Sequence, residues 1–78
     1  MSETLAQLTE IFRELFDVNL TVERSTTAAD VEGWDSFMHV SLILNIERQL
    51  NLRFRSSEVA GLNNVGELVD LIDKHRAS

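Results

Sequence analysis

The chain has 78 residues, no cysteine and no proline, with 44% apolar residues, 26% charged residues and a net charge of −6. That length suits one domain, residues 1–78, with one small core. The lack of cysteine excludes disulfides and thiolate metal sites, and His39 and His75 are too few for zinc. The acidic balance speaks against nucleic acid and anionic lipid, and favours steering toward basic protein partners.

Met1 to Gln7 has neither the basic region nor the apolar run of a secretory signal. No stretch approaches the ~18 apolar residues that would cross a bilayer. The expected protein is cytoplasmic, with no membrane insertion.

Leu5, Leu8, Ile11, Phe12, Leu15 and Phe16 recur at helical spacing and predict an amphipathic first helix that ends near Asp17. Thr4 and Gln7 have the spacing of a capping box. From 18 to 35 the chain is polar, with Val18, Leu20, Val22, Val31 and Trp34 as apolar anchors. The alternation over 18, 20 and 22 has no partner strand, so this segment reads as a long pinned loop. Without proline, turns are expected at Gly33, Gly61 and Gly66 and at the Asn, Asp, Ser and Thr clusters.

A second helix is predicted over Ser36 to Leu50. On its wheel Val40, Leu42, Ile43, Ile46 and Leu50 form the core arc, and Ser41, Asn45 and Arg48 the wet face. Phe37 and Leu44 fall on the border. They either pack under the next helix or form an exposed apolar stripe; the wheel alone favours packing. A short third helix is expected at Ser57 to Gly61, capped by Ser56 or Ser57. A fourth starts after Asn64, with Glu67 completing its cap. Val65, Leu68, Val69, Leu71 and Ile72 make its apolar face, and Lys74, His75 and Arg76 suit its C-terminal dipole. The fold class is all-α: a small four-helix bundle with a short third helix and a long loop between helices one and two.

The junction "GWDSF", residues 33–37, sits between the long loop and the second helix. Ser36 lies at or near a helix N-cap, where capping is the ordinary role of serine. A helix N-terminus also favours an attached phosphodiester, through its unpaired N–H groups and dipole. Asp35-Ser36-x-x-His39 invites a nucleophile–base reading as well, but no glycine-rich turn follows the serine and so small a chain has little cleft. On the core arc, His39 reads as a packed, hydrogen-bonded residue.

"GWDSF" followed by an apolar helix resembles the attachment motif of the acyl carrier protein family, which usually reads Asp-Ser-Leu after a glycine-bearing loop. The likeness extends over "FRELFDV", "TTAADVEGWDS", "VSLILNIERQLNLRF", "SSEVAGL" and "NVGELVDLI". The resemblance implies a non-enzymatic, monomeric carrier. A phosphopantetheinyl transferase would place 4′-phosphopantetheine from coenzyme A on Ser36, with Asp35 as the acidic neighbour that helps the transferase or its magnesium. Acyl- or aminoacyl-loading enzymes and acyl-using enzymes would be the other partners. The resemblance also implies partner contact through the second helix, at Phe37, Met38, Ser41, Leu44, Glu47 and Arg48. By position, an acyl lining would fall at Val40, Ile43, Ile46, Val59, Leu62 and Leu68, residues for which plain core packing is the competing role.

The chain departs from the fatty-acid-synthesis pattern. Phe37 replaces leucine, and Met38, His39, Ser41, Asn45 and Arg48 occupy stretches that tend to be acidic there. Only Asp35 and Glu47 keep that character, and Arg53 and Arg55 add positive charge. These changes point to a specialised stand-alone carrier, since charge complementarity sets on-rate and specificity. The Asp-Ser-Phe variant is also similar to D-alanyl carrier proteins, so aminoacyl cargo stays open. From another class, an unmodified helical interaction module of the same fold would use Ser36 only as a cap.

Overall fold

The computed structural model describes residues 3–77. Met1, Ser2 and Ser78 lie outside it, including the first two residues of the stretch read for a signal. Four α-helices follow one another: α1 (Glu3–Leu15), α2 (Ser36–Leu50), α3 (Ser56–Ala60) and α4 (Val65–Ala77). One turn of 3-10 helix, Ala28–Asp30, interrupts the long loop. No strand occurs among the described residues, as the helical periodicities predict. No helix among them is long and apolar enough to cross a membrane.

The first helix packs on both α2 and α4. Leu8, Ile11 and Phe12 from α1, Leu42 and Ile46 from α2, and Val65, Leu68, Val69 and Ile72 from α4 are fully buried. Each comes from an apolar stripe with helical spacing, so burial of these stripes aligns the three helices. Thr4 and Gln7 do not cap α1. Glu3 is already helical, which places Thr4 past the cap position. Instead Thr4 is buried, and its hydroxyl donates to Asp73 and accepts from Arg76 Nη1 at 3.1 Å. Gln7 Oε1 accepts from the same guanidinium at 2.8 Å. Both residues therefore tie the start of α1 to the end of α4.

The long loop is held by polar contacts as much as by apolar ones. Val22 and Val31 are buried, and Leu20 and Trp34 pack against the core. Val18, expected as an anchor, is 77% exposed, because helix α1 ends at Leu15 and the chain has turned outward by then. Arg13 Nε donates to the Leu20 carbonyl at 2.6 Å, and its Nη2 to Thr21 Oγ1 at 3.1 Å. The N–H groups of Val65 and Gly66, at the start of α4, donate to the carbonyls of Thr26 and Arg24, both at 2.8 Å. These loop carbonyls satisfy donors that a helix start leaves without intrahelical partners.

That docking explains Gly66, which makes no turn and is buried in the first turn of α4. A Cβ there would lie 3.0 Å from the Arg24 carbonyl oxygen. Gly33 does make a turn: its φ of +91° is a conformation that only glycine adopts without strain. At the end of α2 the left-handed residue is Asn51, with φ 57°, and Leu52 N–H donates to the Glu47 carbonyl at 2.9 Å. Asn64 caps α4 as its spacing predicts, accepting from Glu67 N–H at 2.9 Å.

Only five residues form α3, and none of them is buried. Neither Ser56 nor Ser57 caps it. Arg55 holds the cap position, and its N–H donates to the Glu58 carboxylate at 2.8 Å. Two histidines then fix the helix from either side. His75 on α4 bonds the Glu58 carboxylate at 3.1 Å and meets the Phe54 ring edge-on at 5.0 Å. On the other side, His39 of α2 bonds the Val59 carbonyl at 3.0 Å. The Arg55 N–H, and then His75 beside it, hold the Glu58 carboxyl below its ordinary value.

Candidate functional site

The start of α2 is built by the GWDSF junction. Gly33 turns the chain, and Trp34 packs its indole edge-on against Phe12, with ring centroids 5.1 Å apart. Asp35 is the N-cap: its carboxylate accepts from Met38 N–H at 2.9 Å, and its carbonyl accepts the first helical bond, from His39 N–H, at 2.8 Å. Ser36 is therefore the first residue inside the helix and not its cap. With capping done by Asp35, the exposed Ser36 hydroxyl is left for other chemistry.

A cavity of about 400 Å³ opens beside this hydroxyl, lined by Trp34, Asp35, Ser36, His39, Leu62 and Leu68 among others. A second of about 400 Å³ lies between α2 and α3, lined mainly by Val40, Ile43, Leu44, Phe54 and Val59. His39 and Ala60 belong to both linings. Of the six acyl-lining candidates, Val40, Ile43 and Val59 thus meet in the second cavity, and Leu62 and Leu68 in the first. Ile46 lines neither; it is fully buried in the helix core. Val40, placed on the core arc by the wheel, is 59% exposed. The short α3 reaches only part of that arc, so the valine faces an open groove.

Phe37 and Leu44 do not pack under α3. They are 77% and 53% exposed and, with Val40, leave an apolar strip on α2. Met38 and Ser41 are half-buried, and Arg48 is exposed. Glu47 is half-buried and uses one carboxylate oxygen to accept from Phe54 N–H at 2.8 Å, which secures the turn after α2. Asn45 is half-buried too, bonded to the Ser41 carbonyl at 2.8 Å, so the expected wet face is only partly wet.

His39 is half-buried with both ring nitrogens engaged. Trp34 Nε1–H donates to His39 Nδ1 at 3.1 Å. An indole N–H is only a donor, so Nδ1 carries no proton, and Nε2 must donate to the Val59 carbonyl. Neither nitrogen is left to take a proton from Ser36, which removes the nucleophile–base arrangement. The packed histidine expected from the wheel is what the structure contains.

Sequence reasoning gave no site role to Ala28 and Asn63 of the first cavity, to Phe54 of the second or to Ala60, which lines both, and it read Asn64 and Ser56 only as helix caps. They become neighbours only when the loops fold back on α2.

This site suits a phosphate-linked group. An exposed hydroxyl stands at the positive end of a 15-residue helix, where first-turn N–H groups and the dipole favour a phosphodiester. The adjoining cavity leaves room for what the phosphate carries. The comparisons agree with that chemistry. Residues 6–72 match the family described as "Phosphopantetheine attachment site". The fold is similar to the solution NMR structure of a holo acyl carrier protein from Geobacter metallireducens, at TM-score 0.90 and 42% identity, over 97% of this chain and 88% of that one. Among curated protein sequences no match was found. The chain belongs to the acyl carrier protein family of phosphopantetheine-attachment proteins, with covalent 4′-phosphopantetheine as its cofactor.

Proposed function

We propose that Ser36 holds the 4′-phosphopantetheine arm and that the protein carries acyl or aminoacyl groups as thioesters between partner enzymes, contributing no catalysis of its own. The observation that carries this reading is the exposed Ser36 hydroxyl at the first position of α2, relieved of capping by Asp35. In the attachment step the Ser36 oxygen bonds to the phosphorus of the pantetheine phosphate of coenzyme A. The pyrophosphate bond breaks, 3′,5′-ADP leaves, and the hydroxyl proton passes to a base on the transferase. Asp35 is the motif's acidic neighbour and the local cap, so its replacement would harm both docking and helix entry. The arm supplies the reactive thiol that this cysteine-free chain lacks.

We read the exposed Phe37, Val40 and Leu44 as the centre of the partner surface, with Met38, Ser41, Glu47 and Arg48 around it. An apolar strip with one exposed arginine differs from a strongly acidic helix. That supports a specialised lipid or secondary-metabolite pathway, with acyl- or aminoacyl-loading enzymes as partners, for a monomeric carrier in the cytoplasm. Efficient chain elongation on this protein by a housekeeping fatty acid synthase would refute the specialised role.

The deciding experiment incubates purified apo protein with coenzyme A, magnesium and a promiscuous phosphopantetheinyl transferase, and records intact mass. Wild type should gain one phosphopantetheine and Ser36→Ala none. Because Asp35 does the capping, Ser36→Ala should change stability by no more than about 0.5 kcal/mol in urea unfolding. Failure of folded wild type to gain the arm with two different transferases would leave an unmodified interaction module as the better reading.

A further inference from the structure

The two cavities meet at two residues, His39 and the small Ala60. His39 borders both, and its ring spans from the Trp34 indole N–H to the Val59 carbonyl. On one side lies the cavity at Ser36, whose lining includes Asn63 and Asn64 as well as Trp34 and Leu68. On the other lies the more apolar groove of Ile43, Leu44, Phe54 and Val59. The bridge joins three separate elements: the loop before α2, α2 itself and α3. The last of these has no fully buried residue of its own, so this bond, with the partial packing of Val59 and the His75–Glu58 contact, holds it against α2 and α4.

We propose that His39 is a specificity-determining gate: with its bridge intact it confines cargo hanging from Ser36 to the part-polar cavity and keeps it out of the apolar groove. This rests on the reading of Ser36 as the attachment point. The cargo favoured is a short acyl group bearing a hydrogen-bonding substituent, which can pair with groups around the first cavity. A long aliphatic chain gains stabilisation only by entering the groove, and to pass between His39 and Ala60 it has to break the bond to Trp34 or to Val59. His39 acts here as a positioning residue and touches no reacting atom.

The test loads wild type, His39→Ala and His39→Gln with 3-hydroxybutyryl- or octanoyl-phosphopantetheine from the corresponding coenzyme A esters, using a promiscuous transferase. Intact mass verifies loading. Thermal midpoints are then compared with the holo forms, and the indole resonance of the chain's single tryptophan is followed by NMR. In wild type, octanoyl should raise the midpoint no more than 3-hydroxybutyryl does, and the indole resonance should stay in its bridged position. In His39→Ala, octanoyl should raise it by about 4 °C or more over its holo form. The Gln amide can accept from Trp34 and donate to Val59, so His39→Gln should behave as wild type.

An octanoyl group that stabilises wild type as much as His39→Ala, with the indole resonance unmoved, overturns the gate. So does the absence of any chain-length difference between the variants. Should His39→Ala fail to fold, wild type decides alone: octanoyl-induced shifts at the Ile43 and Val59 methyls without a shift of the indole overturn it. Failure to load, seen by mass, removes the attachment reading and the gate together, and is thereby distinct from failure of the gate alone.

Discussion

The seam where α1 meets α2 and α4 and the flank where α3 meets α2 and α4 are held by different physics. The seam buries nine side chains fully, including Phe12, Leu42, Ile46 and Ile72, and its polar ties at Thr4 and Arg76 lie at its end. The flank buries no residue of α3 fully; it has only the partial packing of Phe54, Val59 and Leu62 and the polar contacts of His39, His75 and Glu58. Apolar burial is non-directional and large, so the seam is a fixed frame. A few hydrogen bonds, each worth about 1 kcal/mol net, make the flank the side that can open. The Ser36 site and both cavities lie on the flank, where α3 can shift while the frame stays folded.

The contrast is sharpest for one leucine on each side. Leu42→Ala in the seam should cost about 2–5 kcal/mol in urea unfolding, since it leaves a cavity in a packed core. Leu44→Ala on the exposed strip should cost about 0.5 kcal/mol or less, yet slow acyl transfer to a partner. Comparable losses at both positions would mean that the flank is packed like the seam.

Gly66→Ala probes how firmly the long loop is docked on the start of α4. The helix gains from alanine, but the new methyl would press on a backbone oxygen that its own N–H already holds, and the contact should win. A net loss of about 1–3 kcal/mol is expected by thermal or urea unfolding. A stabilised variant would show that the loop yields easily.

The smallest effect concerns acid. A carboxyl whose folded value is lowered stabilises the fold above its unfolded value, and this support is lost as pH falls through the folded value. Glu58 should therefore contribute at neutral pH and stop contributing in acid. Glu58→Gln should lower the thermal midpoint slightly at neutral pH and converge with wild type at low pH. A constant difference across the whole range would mean that the Glu58 charge plays no part in holding α3.

Much of this protein was legible in the amino-acid order. The stripes of α1, α2 and α4 predict the helices, because a 3.6-residue period is a local property that burial then rewards. The GWDSF junction marks the start of α2 for the same local reason, as a glycine turn followed by a capping residue, and its likeness to a family motif is what singles out Ser36. Contacts between distant residues were not legible. Thr4 and Gln7 have the spacing of a cap but bond to α4, and Val40 has core spacing but faces a groove. Gly66 reads as a turn and proves to be a docking point for Arg24. His39 was placed correctly on its wheel, yet its bridge from Trp34 to Val59 depends on where the loop and α3 come to rest. Periodicity specifies which face a helix buries; which neighbour arrives there, and how much of the face it covers, is settled by packing of all the elements together.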